Sequence, residues 1–122
     1  MRISRGRESG ATELRGPTFT GRVWGDAVLS GQDGVSVNLV IFEPGARTHW
    51  HHHEVAQVLH VTGGAGWIQT RDGQGGPLTF GDTVHIPAGE DSVMSHLAIS
   101  IGETVWLDPV SDADYAAASK GR

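Results

Sequence analysis

From Thr18 to Leu107 the chain is a succession of short runs rich in Val, Ile, Thr, Phe and Trp, each closed by glycine or proline. No long 3.6-residue apolar pattern separates these runs, so a parallel sheet with crossover helices is excluded. Residues 18–24, 35–42, 55–62, 65–71, 82–87, 93–101 and 104–107 are predicted strands. The segments 31–34, 43–45, 63–64 and 72–77, built from Gly, Pro, Asp and Gln, are the predicted turns. Many short strands joined by tight turns fold as a sandwich or a barrel. Glycine makes up 18 of 122 residues, about double the usual ~7%, which suits that number of turns.

The length fits one domain. Residues 1–17, with Arg2, Arg5, Arg7 and Arg15 and little periodicity, read as a flexible arm, either frayed or laid along a partner subunit. Residues 18–122 form the domain. Near its end, Ser111 with Asp114 three residues on matches a helix cap, followed by Tyr115 and three alanines, then Lys120 and Gly121. A short C-terminal helix is predicted there.

Nine basic against fourteen acidic residues give a net charge of −5. This balance argues against a nucleic-acid or membrane-surface partner. With no cysteine, disulfides, thiolate metal sites and cysteine nucleophiles are excluded. No apolar run reaches the ~20 residues of a membrane helix, and no apolar core follows the first arginines as in a secretory signal. A cytoplasmic address is the expectation.

In Val35–Phe42, alternation puts Val35, Val37, Leu39 and Ile41 on one face and Ser36, Asn38, Val40 and Phe42 on the other. Two readings remain open for this run. Either it separates a partner subunit from a polar-lined cavity, or it is a central strand buried on both sides.

Four of the seven histidines fall in residues 48–54. On a regular strand His49, His51, His53 and Gln57 share a side, while His52 and His60 take the other and read as surface residues. His51 and His53 would lie about 7 Å apart at the backbone, close enough for both rings to converge on one ion. Gln57 adds an amide oxygen, and His49 is a pocket residue or supports a ligand. Imidazole suits Zn, Cu, Fe and Ni, whereas oxygen donors favour harder ions such as Mn. The stretch is internal and framed by Pro44-Gly45 and Gly63-Gly64, unlike an expression tag.

The frame carries a resemblance. Gly45, five residues, His51, one residue, His53, three residues, Gln57, six residues and Gly64 match the first motif of the cupin superfamily, with Gln57 where glutamate is usual. Gly81, five residues and Pro87-Ala88-Gly89 match the start of the second. Within that superfamily the chain resembles, over residues 18–115, the small bacterial cupins that include manganese-dependent (R)-hydroxynitrile lyases. The resemblance implies an all-β jelly-roll barrel and a homodimer. It also implies a divalent metal, manganese first, with Fe, Ni, Co or Zn as alternatives. His51, His53 and Gln57 would be the metal ligands, Asn38, Val40 and His49 pocket residues, and His96 the catalytic base.

The chain departs from the pattern after Gly89. Two residues on, the motif calls for a fourth ligand histidine, and here Glu90 and Asp91 are followed by Ser92. A segment that carries two histidines in the similar enzymes has no counterpart. If the chain from Ser92 on fills the vacated strand, Ser92, Met94 and His96 face inward, with His96 about 13 Å beyond the usual ligand position.

If the lyase resemblance holds, the metal is a Lewis acid for a cyanohydrin hydroxyl and His96 removes its proton. The alternatives are a cupin-type dioxygenase or isomerase, and a non-catalytic small-molecule binder with a degenerate site. Nucleophilic hydrolysis has no support, because no nucleophile elbow occurs. Gly63-Gly64-Ala65-Gly66 opens a strand without a following Lys-Ser/Thr, so it is a turn rather than a phosphate loop.

Overall fold

The computed structural model describes residues 1–8, 10–32, 35–94, 98–101 and 104–106, with backbone alone at 94, 98–101 and 104–106. Its described residues form strands β1 (Glu13–Leu14), β2 (Phe19–Thr20), β3 (Val23–Gln32), β4 (Val35–Phe42), β5 (Arg47–Thr48), β6 (His51–His53) and β7 (Gln57–His60). The series continues with β8 (Ala65–Thr70), β9 (Gly75–Thr79), β10 (Thr83–Ile86), β11 (Ser92–Met94), β12 (Ala98–Ile101) and β13 (Thr104–Trp106). No helix occurs among the described residues. The expected C-terminal helix and His96 lie outside them.

One sheet runs β1-β3-β4-β12-β7-β10 and a second β13-β6-β11-β8-β9, with a small β2-β5 ribbon beside them. Every pairing is antiparallel. The core fills the space between the large sheets. Leu59 and Ile86 come from the first sheet and Ile68 and Leu78 from the second; Val61 completes the cluster, against which Phe42 and Val84 pack. Five of these side chains are within 7% of full burial, and Leu59 and Val61 are at zero exposure. Burying each such side chain contributes about 1.5–3 kcal/mol.

The Val35–Phe42 strand forms with the expected limits, and its β-branched residues suit a pleated surface. Three expectations need adjustment. The first strand is broken by Gly21 and Arg22 into β2 and a ten-residue β3. Residues 72–77 do not all belong to a turn: β9 begins at Gly75 and pairs with β8. A side chain at Gly75 would run into the Ile68 carbonyl, so the glycine that reads as a turn residue is a close-approach residue within a strand. Residues 93–101 are not one strand. β11 pairs with β6 and β8, and β12 pairs with β4 and β7 in the opposite sheet.

The N-terminal arm is tied to its own domain at several points. Glu13 and Leu14 pair with Gly25 and Trp24, the Glu8 N–H donates to the Ala27 carbonyl (3.0 Å), and Arg7 meets buried Asp26 at 3.3 Å.

Candidate metal centre

The histidine strand is not continuous. β5 stops at Thr48 and β6 starts at His51, so His49 and Trp50 form the join. Within β6 the alternation holds: His51 and His53 are buried at 2% and 4% exposure, and His52 is turned to the other face. The His51 and His53 rings lie edge to face with centroids 5.4 Å apart. Gln57, at 2% exposure, comes from β7 in the opposite sheet and hydrogen-bonds with His53. Two imidazoles and one amide therefore meet between the sheets, beside the Leu59 and Ile86 end of the core.

The join at His49 has a chemical use. Nδ1 of His51 lies 3.0 Å from the His49 carbonyl oxygen. A carbonyl only accepts, so Nδ1 carries the hydrogen and Nε2 keeps its lone pair. His49 thus supports His51 through its backbone, while its own side chain is half-buried.

Burial pushes the His51 pKa down, against the pull of the His49 carbonyl. Burial, followed by the neighbouring His51, lowers His53 to about 4, although the Gln57 hydrogen bond works the other way. Both rings are therefore neutral at pH 7, the form that binds a cation. Among the described residues no group of three or more His, Cys, Asp and Glu could hold a metal. Beside the two imidazoles the third donor in reach is an amide, a group outside that set. Neutral nitrogen and oxygen donors, buried and converging, fit a divalent ion.

Register places the residues expected in the pocket. Ser100 pairs with both Gln57 and Ser36, and Ala98 pairs with Asn38. Directly opposed residues share a face, so the face of Gln57 passes through β12 to Ser36, Asn38 and Val40. Asn38 and Val40 are half-buried on that inner wall. The outer row is Val35, Val37, Leu39 and Ile41, with Val35 and Ile41 at 41% and 47% exposure. His85 stands opposite Val58 on the outside and is exposed, and His60 bonds Thr83 at 2.8 Å on that same side.

One feature was not anticipated from the sequence. On the outer face of the second sheet, His52 Nδ1 donates to Asp91 (2.9 Å) and Arg71 Nε donates to the other oxygen of Asp91 (3.0 Å). Partial burial works to raise the Asp91 pKa, but these bonds outweigh it and hold the carboxyl below its usual range. The Arg71 guanidinium also covers the Trp50 ring at 4.7 Å. Together they clip β6, β8 and the start of β11. Ser92, expected to face inward where the chain fills the vacated strand, is at 1% exposure and paired directly with His51.

A jelly-roll of two antiparallel sheets with a paired-imidazole cup on its inner wall defines a class of small-molecule and metal-binding barrels. The chain belongs to the cupin family: residues 38–108 match the cupin domain. It is 38% identical over 117 residues to the (R)-mandelonitrile lyase of Granulicella tundricola, covering 83% of this chain and 89% of that one. Among solved structures it is similar to a cupin-like protein of Thermotoga maritima, with a TM-score of 0.77 and 32% identity over the whole of both chains. It also shares its fold with the polyketide cyclase RemF of Streptomyces resistomycificus, at a TM-score of 0.71, 19% identity and coverage of 94% and 91%. A predicted oxalate decarboxylase of Thermotoga maritima gives a TM-score of 0.70 at 20% identity, covering 84% of this chain and all of that one.

Proposed function

We propose that His51, His53 and Gln57 hold one divalent cation, manganese in first place, and that the chain is a hydroxynitrile lyase-like carbon–carbon lyase. The observation that carries this is the meeting of two neutral, buried imidazoles with an amide oxygen from the facing sheet. The similarity to a mandelonitrile lyase over most of both chains supplies the reaction class.

The bound metal supplies Lewis acidity to the oxygen of a cyanohydrin, making its hydroxyl proton easier to remove. The chain's own groups do the rest. The His49 carbonyl keeps His51 in the tautomer with a free Nε2. Asn38 and Val40 shape the wall against which the substrate side chain lies. A base takes the hydroxyl proton, the O–H electrons form the carbonyl, and the C–CN bond breaks with its electron pair on cyanide. Cyanide leaves as HCN after taking up a proton. The base role is assigned to His96 by resemblance, outside the described residues.

A second reading, a non-catalytic small-molecule binder, is favoured by one observation: serine stands at position 92, where a fourth imidazole would complete the donor set. Elemental analysis combined with a mandelonitrile cleavage assay separates the two. Metal with cleavage supports the lyase. Metal without cleavage supports the binder.

We further propose that the outer row Val35, Val37, Leu39 and Ile41 is a dimer face. Val35 and Ile41, at the two ends of that row, are exposed at 41% and 47%. No helix among the described residues is long and apolar enough to cross a membrane.

A further inference from the structure

Ser92 is the buried polar residue that the reading above leaves without a task. It pairs directly with His51 across β6 and β11, and with Thr70 across β8. Directly opposed residues point to the same side, with Cβ atoms about 4.5–5.5 Å apart. Ser92 therefore points to the side of the sheet that carries the His51 and His53 rings. Met94, two residues on, pairs with the core residue Ile68, which marks the same side as the interior. The Ser92 hydroxyl is buried at 1% residue exposure and has no hydrogen-bond partner among the described groups.

Its register is firmly held. The Asp91 carboxylate is bonded to His52 and Arg71 on the opposite face, and the Gly89 N–H donates to the His53 carbonyl at 2.9 Å. Ser92 thus begins its strand directly after two anchors to β6 and cannot slide without breaking one.

Length then decides what the hydroxyl does. The reactive nitrogen of an imidazole stands several bonds out from the backbone, whereas the serine oxygen stands one bond beyond Cβ. An ion at the reach of His51 and His53 lies beyond the reach of Ser92, and a neutral aliphatic hydroxyl is a poor donor for such an ion.

We propose that Ser92 marks an open coordination position. Its hydroxyl hydrogen-bonds an oxygen of the bound small molecule, an alcohol, carbonyl or water oxygen, and does not itself grip the ion. This assigns a positioning role to Ser92 and a class of ligand, small neutral oxygen compounds, to that side of the cup. It rests on the metal reading.

The test uses the full chain loaded with Mn(II). Affinity is read by competition with a chromophoric chelator, and open positions by water-proton relaxation. Ser92→Ala should keep the manganese stoichiometry and change the affinity by no more than about twofold, since no ligand is lost. Ser92→His places an imidazole opposite His51. It should raise manganese affinity by about tenfold or more and lower the water relaxation as the open position closes. If Ser92→Ala loses the metal, Ser92 is itself a ligand and the proposal is overturned. It is also overturned if Ser92→His folds, by circular dichroism, yet leaves affinity and relaxation unchanged. If the unaltered chain binds no manganese while Ser92→His does, the placement of Ser92 stands and the native metal reading falls. If neither binds, both fall.

Discussion

Gly89 donates its backbone N–H to the carbonyl of His53 across 2.9 Å, joining the turn of the second motif to the strand of the first. The turn 87–90 closes with Glu90 N–H on the Pro87 carbonyl, and Gly89 sits at φ 76°. Nothing lies within 4 Å of where a side chain at Gly89 would start, so the need for glycine is conformational rather than steric. Gly89→Ala is expected to cost about 1–2 kcal/mol of stability by denaturant unfolding. Because the same turn holds His53, metal affinity should fall along with it.

Gln57 separates stability from affinity. Gln57→Glu replaces a neutral donor by a carboxylate in a buried site. Unfolding of the metal-free protein should come at a lower temperature, because the charge is desolvated. Metal titration of the same variant should show tighter binding, because the charge is then paired. Gln57→Ala should weaken the metal by roughly tenfold or more.

Protons compete with both folding and metal. The His53 pKa falls from 6.5 to about 4 in the folded state, and that of His51 is also lowered. Between those values the unfolded chain binds protons that the folded chain does not, so stability increases with pH. The metal-free protein should be at full stability above about pH 6.5 and lose it progressively toward pH 4, by on the order of 3 kcal/mol from His53 alone. Denaturant melts across that range check this. The loss should be largely absent in His53→Ala, apart from the share of His51.

The outer face of β4 predicts the oligomer. Ile41→Arg together with Val35→Asp, placed at the exposed positions of the outer row and leaving the inner wall untouched, should shift the protein from dimer to monomer in light scattering. A dimer that persists in this variant would assign the interface to another surface.

Much of the fold is legible in the sequence. Val35–Phe42 announced itself because β-branched residues run unbroken between two turns, and its alternation separated Asn38 and Val40 from the outer row. His51 and His53 are legible because an H-x-H pair on a strand has little choice of direction, whereas Gln57, read as lying on the same strand face, reaches them from β7 in the facing sheet. Local patterning could not reveal that the chain breaks at His49 and Trp50, since β6 is short and fixed by partners from distant sequence. It is that break which lets the His49 carbonyl orient His51. The strand beginning at Gly75 was hidden because glycine and proline read as punctuation, whereas here close packing against Ile68 demands the missing side chain. That β11 and β12 lie in different sheets is set by pairing with β6 and β8 and with β4 and β7, and the β11 pairing brings Asp91 to His52 and Arg71.

The most direct test of the central claim is the manganese content of the purified, manganese-loaded chain, by elemental analysis, beside that of a His51→Ala, His53→Ala double variant. One tightly held ion per chain, lost in the double variant with the fold intact by circular dichroism, is the predicted result. An unaltered chain with no metal above background, or a double variant that retains the full complement, would contradict it.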